Sequence, residues 1–393
     1  MSLSKIDTYL LLTTKAFLYL FAAAMPFSIA ITQISLGIAT LCWLARIFIT
    51  KSARLKHTSL EWAFAAYIAA ELLSLVFSIN VPQSIIYLKR ILLIAAVYLV
   101  AFNVDSDKLF KRMILIFVAA TTLYSMWGVL SWINEPQLRV RHVQNSMTAG
   151  GITMIGAVAC VALFTKLESN KWKYLCAAAA LVNSVCLVLT NTRGSWLGFV
   201  IGVLFAFFYS NKKLLILVPV LAAAFYFLSP PAFKHRAQGF FDPNMPTISK
   251  RLVWWRAAWE IFKDHPVTGI GDVGTSEIFR QYAPPNFKGS VGHFHSNYLH
   301  ILATLGVIGF TAFIFMIVKI FIELLRILRS SLLSHQKAWV LSAASIFLAF
   351  NINGFFEWNF GDAEIITMVW FVTGLALALS VSPRPISIEE KPA

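Results

Sequence analysis

Apolar stretches of roughly 15–22 residues recur along most of the chain, and that is the length a helix needs to cross the hydrocarbon core of a bilayer. Inside a bilayer the backbone must satisfy its own hydrogen bonds, so such stretches become helices. Pro and Gly number 14 and 19, and many lie within apolar blocks, where membrane helices tolerate them better than soluble ones do. Hydrophobic residues make up 58% of the 393 and charged residues only 13%, against about 25% charged in a soluble domain. A cytosolic enzyme, a disordered chain and a disulfide-stapled secreted domain are all excluded. The four cysteines, Cys42, Cys160, Cys176 and Cys186, sit in apolar blocks without metal-ligand spacing and read as small buried hydrophobes. No small-residue cleavage site follows the first apolar block, so it reads as a span and not a signal peptide. The fold class is all-α, a polytopic membrane protein.

The hydropathy pattern predicts about 12 transmembrane helices, at 9–25, 29–47, 60–78, 84–102, 112–132, 147–165, 174–190, 195–210, 214–229, 297–322, 338–354 and 363–381. With the N-terminus inside, 20 of the 33 Lys and Arg fall in inner segments, and the short outer loops after spans 1, 3 and 11 hold none. The positive-inside rule then puts both termini in the cytoplasm and the long loop outside. The expected organisation is a bundle of nine spans over 1–229, a periplasmic loop domain over 230–296, three more spans over 297–381 and a cytoplasmic tail over 382–393.

Thirteen cations remain on the outer side, and topology does not account for them. Arg193 sits in the short break Asn191-Thr-Arg-Gly194 between two long apolar runs. Lys89 and Arg90 lie within the outer half of span 4. An Arg or Lys at bilayer depth costs at least about 2.5–3.5 kcal/mol unless it snorkels or finds a partner. A set of them on one side points to an outward-facing anionic ligand. The segment 230–296 is too long to be structureless. Within it, Ser249–Lys263 reads as an amphipathic helix with Ser249 as N-cap and Trp254, Trp255, Trp259 and Phe262 at the membrane interface.

Gly269-Ile-Gly-Asp-Val-Gly274 matches the dinucleotide fingerprint, but no strand precedes it and no βαβ unit surrounds it. A tight turn after Pro266 is the better reading. Three histidines crowd into Gly292-His-Phe-His-Ser-Asn-Tyr-Leu-His300. The loop supplies no further ligand for zinc, so no metal is expected. A histidine beside outward arginines suits a general base instead; spacing alone leaves His293 and His295 equal. Neither a Ser-His-Asp order nor a paired-carboxylate site is visible. Glu357, in the aromatic loop Phe355–Phe360, could orient a histidine or pair with an arginine. Guanidinium forks suit a diphosphate leaving group, stabilising the charge that develops as it departs.

These residues resemble the bacterial O-antigen ligase family of membrane glycosyltransferases. The sharpest motif is His295-Ser296, nine residues, then Gly306-Val-Ile-Gly309. Leu189-Thr-Asn-Thr-Arg193-Gly-Ser-Trp196 resembles the family's short outer loop with its essential arginine. Ser249-Lys-Arg251 with the Trp-rich helix, followed by His265-Pro-Val-Thr-Gly-Ile-Gly271, resembles its long periplasmic loop. Arg139-Val-Arg141 resembles its basic loop before span 6. The resemblance implies transfer of O-antigen polysaccharide from undecaprenyl diphosphate to a sugar hydroxyl of lipid A–core, on the periplasmic side of the inner membrane. The reaction would be inverting, with no cofactor, metal or ATP. It implies His295 as base and Arg193 and Arg251 at the diphosphate. Arg141, Arg139, Lys89 and Arg90 are further diphosphate-binding candidates, with Lys89 and Arg90 not separable. The expected partners are the lipid-linked glycan, the lipid A–core acceptor and membrane lipids, with no nucleic acid.

The nearest alternative is an O-antigen polymerase or another lipid-linked oligosaccharide transferase. Polymerases tend to carry two sizeable periplasmic loops, whereas here the outer loop at Arg193 is tiny. A lipid-diphosphate flippase would want charges along a path and matching halves with broken helices. The cations cluster at one face instead, and no inverted repeat is apparent.

Overall fold

The computed structural model describes residues 2–53, 55–135, 139–140, 144–228, 245–289 and 291–381. Arg141, the stretch 230–244 of the expected loop domain and the tail 382–393 lie outside the described residues. The described residues form helices and no strands: α1 Leu3–Ala24, α2 Ile29–Phe48, α3 Glu61–Val76, α4 Val81–Leu88, α5 Ala95–Asn103, α6 Asp107–Asn134, α7 Ser146–Lys166, α8 Asn170–Leu189, α9 Arg193–Ser210, α10 Leu217–Leu228, α11 Pro246–Asp264, α12 Ser276–Tyr282, α13 Asn297–Leu328, α14 Ser334–Asn353 and α15 Ala363–Val381. A 3₁₀ turn, Lys89–Ile94, joins α4 to α5.

Nine described segments are long and apolar enough to cross a membrane, with Val81–Asn103 counting as one. This is a multi-pass membrane protein. The other three expected spans coincide with α3, α10 and α14. The first two are short, at 16 and 12 residues. Helix α14 is long enough but carries Ser, Gln and Asn along its length. It can be polar because it is interior: most of its residues are buried, and it packs against α7, α9, α13 and α15.

Loops gather at the two ends of the bundle. At one end Asp7 pairs with Arg46 at 3.0 Å and Asp107 with His335 at 2.6 Å. At the other lie the α8–α9 break, the segment from α11 to α13, and the α14–α15 loop. The segment following α11 is held as a wedge in a break of α13. Gly306 interrupts that helix with φ 62° and ψ −165°, which leaves the carbonyls of Ala303 and Thr304 without their helical partners. Ile270 N–H donates to Ala303 O at 3.2 Å and Gly271 N–H to Thr304 O at 2.9 Å. In return Val307 N–H donates to Pro266 O at 2.8 Å. The Ser74 hydroxyl of α3 donates to Thr268 O at 2.8 Å. The fingerprint-like glycines serve this wedge: Gly269 and Gly271 have φ of 66° and 90°, backbone that a residue with a Cβ rarely adopts.

Candidate active site

His295 stands just before the N-terminus of α13, where Ser296 caps the helix by accepting from Leu299 N–H. Its backbone is in the left-handed region, φ 47°, which costs a non-glycine residue about 1–3 kcal/mol unless its surroundings hold it. Here they do. Trp254 of α11 stacks on the imidazole, ring centroids 4.7 Å apart. Its Nδ1 lies 2.9 Å from Glu357 Oε1.

Glu357 is only 8% exposed. The loop that carries it is fixed by the residue two positions after His295: Asn297 N–H donates to Gly354 O at 2.7 Å, its side-chain amide donates to Asn359 Oδ1 at 2.5 Å, and Phe360 N–H donates to Asn297 Oδ1 at 3.1 Å. Burial alone would push the Glu357 carboxyl up. The His295 hydrogen bond, the Arg251 charge and the charge that His295 and His293 gain when they protonate at low pH outweigh it and hold the carboxyl below its ordinary value. It is therefore an anion at neutral pH and can only accept.

Arg251 lies one face-turn along α11, with Nη2 3.7 Å from Glu357 Oε2. That oxygen accepts no hydrogen bond among the described residues. Arg193, 6% exposed at the start of α9, donates to Thr247 Oγ1 at 2.8 Å. Thr247 and Arg251 are four apart on α11, hence neighbours on one helix face. The three residues of the sharpest sequence motifs thus meet around α11. That helix starts at Pro246, three residues before the expected Ser249 cap, with Met245 in the cap position. Trp254 and Trp255 also depart from expectation. They turn inward, to His295 and to Phe356 at 6.3 Å, while Trp259 stays exposed.

The remaining cations divide. Arg139 donates to Asn191 O at 3.0 Å and so steadies the break that presents Arg193. Lys89 is exposed. Arg90 points inward from the 3₁₀ turn: its Nη1 lies 2.9 Å from Asp272 Oδ2, and its guanidinium covers the Tyr87 ring. Asp272 belongs to the glycine-rich wedge, so this pair ties span 4 to the long loop. A small cavity beside it is lined by Tyr67, Glu71, Arg90, Asp272 and Trp358.

His293 and His295, equal by spacing, differ in place. The His293 ring meets that of His295 edge-on at 4.3 Å, and its Nδ1 accepts from His295 N–H at 3.4 Å. Burial pushes His293 down to about 4. It is neutral in the folded chain, while an unfolded histidine binds its proton near 6.5. Stability from His293 is thus complete above about pH 6.5 and is lost as the pH falls toward 4. Thermal unfolding of wild type should weaken more between about pH 7 and pH 5 than that of His293→Gln. Equal weakening in both would refute this.

Glu357 also supplies the third ligand that the loop sequence lacked. His293, His295 and Glu357 offer ligand atoms within 4.8 Å of one another, one such group among the described residues. Three protein ligands make an open zinc site in number. However, the Arg251 guanidinium already faces the carboxylate, and a second cation there would be repelled.

Residues 178–314 match a family model described as O-antigen ligase. Over that segment, less than half of the chain, the sequence is similar to the O-antigen ligase family. The matched segment takes in Arg193, Arg251, His295 and Gly306 and stops short of Glu357. No curated protein matches the chain.

Proposed function

We propose that this O-antigen ligase-like protein moves O-antigen polysaccharide from undecaprenyl diphosphate to a sugar hydroxyl of lipid A–core, at the periplasmic face of the inner membrane. One observation supports this reading above the others. A histidine paired to a buried carboxylate stands with Arg251, and with Arg193 through α11, at one end of a membrane bundle.

His295 takes the proton of the acceptor hydroxyl as its oxygen bonds to the anomeric carbon. The bond from that carbon to the diphosphate oxygen breaks on the opposite face, so configuration inverts. Arg251 and Arg193 stabilise the charge that develops on the diphosphate. Arg139 and Lys89, with Arg141, extend the positive field that draws the lipid-linked donor. Arg90 contributes through its pair with Asp272, by holding the wedge in place. The donor is already activated, so ATP is not required. Fixed guanidinium groups supply the positive charge, so metal is not required either.

The test is transfer by purified protein from undecaprenyl-diphosphate-linked glycan to lipid A–core, without ATP and with EDTA. Wild type should be active under these conditions. Arg251→Ala should lose about 10²–10³-fold in rate, the range for removing one charge-stabilising donor. Growth of polymer on the lipid donor, with nothing reaching lipid A–core, would make the protein a polymerase. Abolition by EDTA would refute the metal-free mechanism.

A further inference from the structure

We infer that Glu357 is the positioning residue of the reaction: it fixes the tautomer and orientation of His295 and stabilises the imidazolium that forms during transfer. The inference rests on the transfer reading above. It concerns a residue outside the segment that matches the family.

The geometry carries it. An ionised carboxylate only accepts hydrogen bonds, so the 2.9 Å contact means His295 Nδ1 carries the proton and donates it. The lone pair is then on Nε2, which is left as the basic atom. Nothing else would impose this choice. Trp254 fixes the plane of the ring but not its protonation. His293 Nδ1 accepts from the His295 backbone N–H and offers the His295 ring no competing carboxylate.

Glu357 is itself held. Its Oε1 also accepts from Trp358 N–H at 3.2 Å. Its loop is clamped by Asn297, which follows His295 by two residues, so base and carboxylate are registered against each other through one asparagine. Once His295 has taken the acceptor's proton, the ring is a cation and Glu357 is its counter-ion. The proton on Nδ1 stays on Nδ1, and no proton passes to the carboxylate. A nucleophile or base oriented by a third group is a general device of group transfer.

Two measurements on the full chain in lipid nanodiscs test this. The first is ¹⁵N NMR of histidine-labelled protein, with the His295 signal identified by its loss in His295→Ala. The expected form is protonated at Nδ1 and bare at Nε2. A ring protonated at Nε2 alone would overturn the proposal, whatever the activity. The second is kinetic. Glu357→Gln keeps the shape and one accepting oxygen but removes the charge. It should lower kcat by about 10²-fold, within the range that a general base itself supplies, a larger factor than any rise in donor KM from the lost Arg251 pair. A carboxylate serving only to pack the loop would leave kcat at the wild-type value, and that result would also overturn the proposal. Wild-type protein that holds the expected tautomer but transfers nothing would instead overturn the transfer reading, and this role with it.

Discussion

Replacing His295 by alanine is expected to lower the rate of transfer to lipid A–core by about 10²–10⁴-fold, with binding of the lipid-linked donor little changed. The range equals about 2.7–5.5 kcal/mol of transition-state stabilisation. It should appear in kcat, because the proton leaves the acceptor hydroxyl only as the new bond forms. Donor binding should survive, because the arginines assigned to the diphosphate are anchored independently of the imidazole. Arg193 rests on Thr247 and Arg251 faces Glu357. The fold should also survive. Alanine removes the stack on Trp254 and the bond to Glu357, but the helix cap at Ser296 and the Asn297 clamp remain. A folded His295→Ala protein transferring at the wild-type rate would remove His295 from the mechanism. Growth of glycan on the lipid donor alone would redirect it to polymerisation.

Which parts of this arrangement the sequence disclosed depends on how far apart the partners are along the chain. The helical spans were legible because bilayer crossing imposes a length and a composition on each segment separately. The three segments that fall short are short or are polar inside the bundle, as α14 is. Arg193, Arg251 and His295 were reachable because each sits in a local motif. Their meeting was not, since α11 brings them together only through tertiary contact. Glu357 illustrates the limit. Its neighbour His295 lies 62 residues away, and nothing in either local sequence names the other. The same holds for Arg90 and Asp272, 182 residues apart. Lys89 and Arg90 are not separable by pattern, because hydropathy predicts a regular helix where the chain makes a 3₁₀ turn. The tryptophans of α11 misled for a different reason. An amphipathic aromatic face suits a lipid interface and a buried aromatic wall equally well.

Substituting Gly306 by alanine is expected to be, with Gly269→Ala, among the most disruptive single-methyl changes at the described glycines. Two independent costs fall on it. The backbone there has φ 62° and ψ −165°, a region essentially confined to glycine, and holding another residue in it costs about 1–3 kcal/mol. A Cβ built at 306 would also collide with the Val267 carbonyl and stand 2.6 Å from Gly269 N. Both are backbone atoms that no rotamer change can move aside. Two relaxations are open to the chain. The wedge can withdraw, giving up the bonds from Ile270, Gly271 and Val307. Alternatively α13 can straighten, which restores its own ladder and expels the wedge. Either way the Arg90–Asp272 pair is pulled apart, because Asp272 is carried by the wedge. His295 at the head of α13 then loses its register against α11. The variant should therefore lose transfer and unfold at a lower temperature together, with a combined cost of several kcal/mol, at the upper end for single substitutions. His265–Gly271 should become more accessible to amide hydrogen exchange than in wild type. This differs from the His295→Ala outcome, where rate falls and exchange in the wedge stays as it was. A Gly306→Ala protein with wild-type melting temperature and unchanged exchange at Ile270 and Gly271 would mean that the break in α13 is not what seats the wedge.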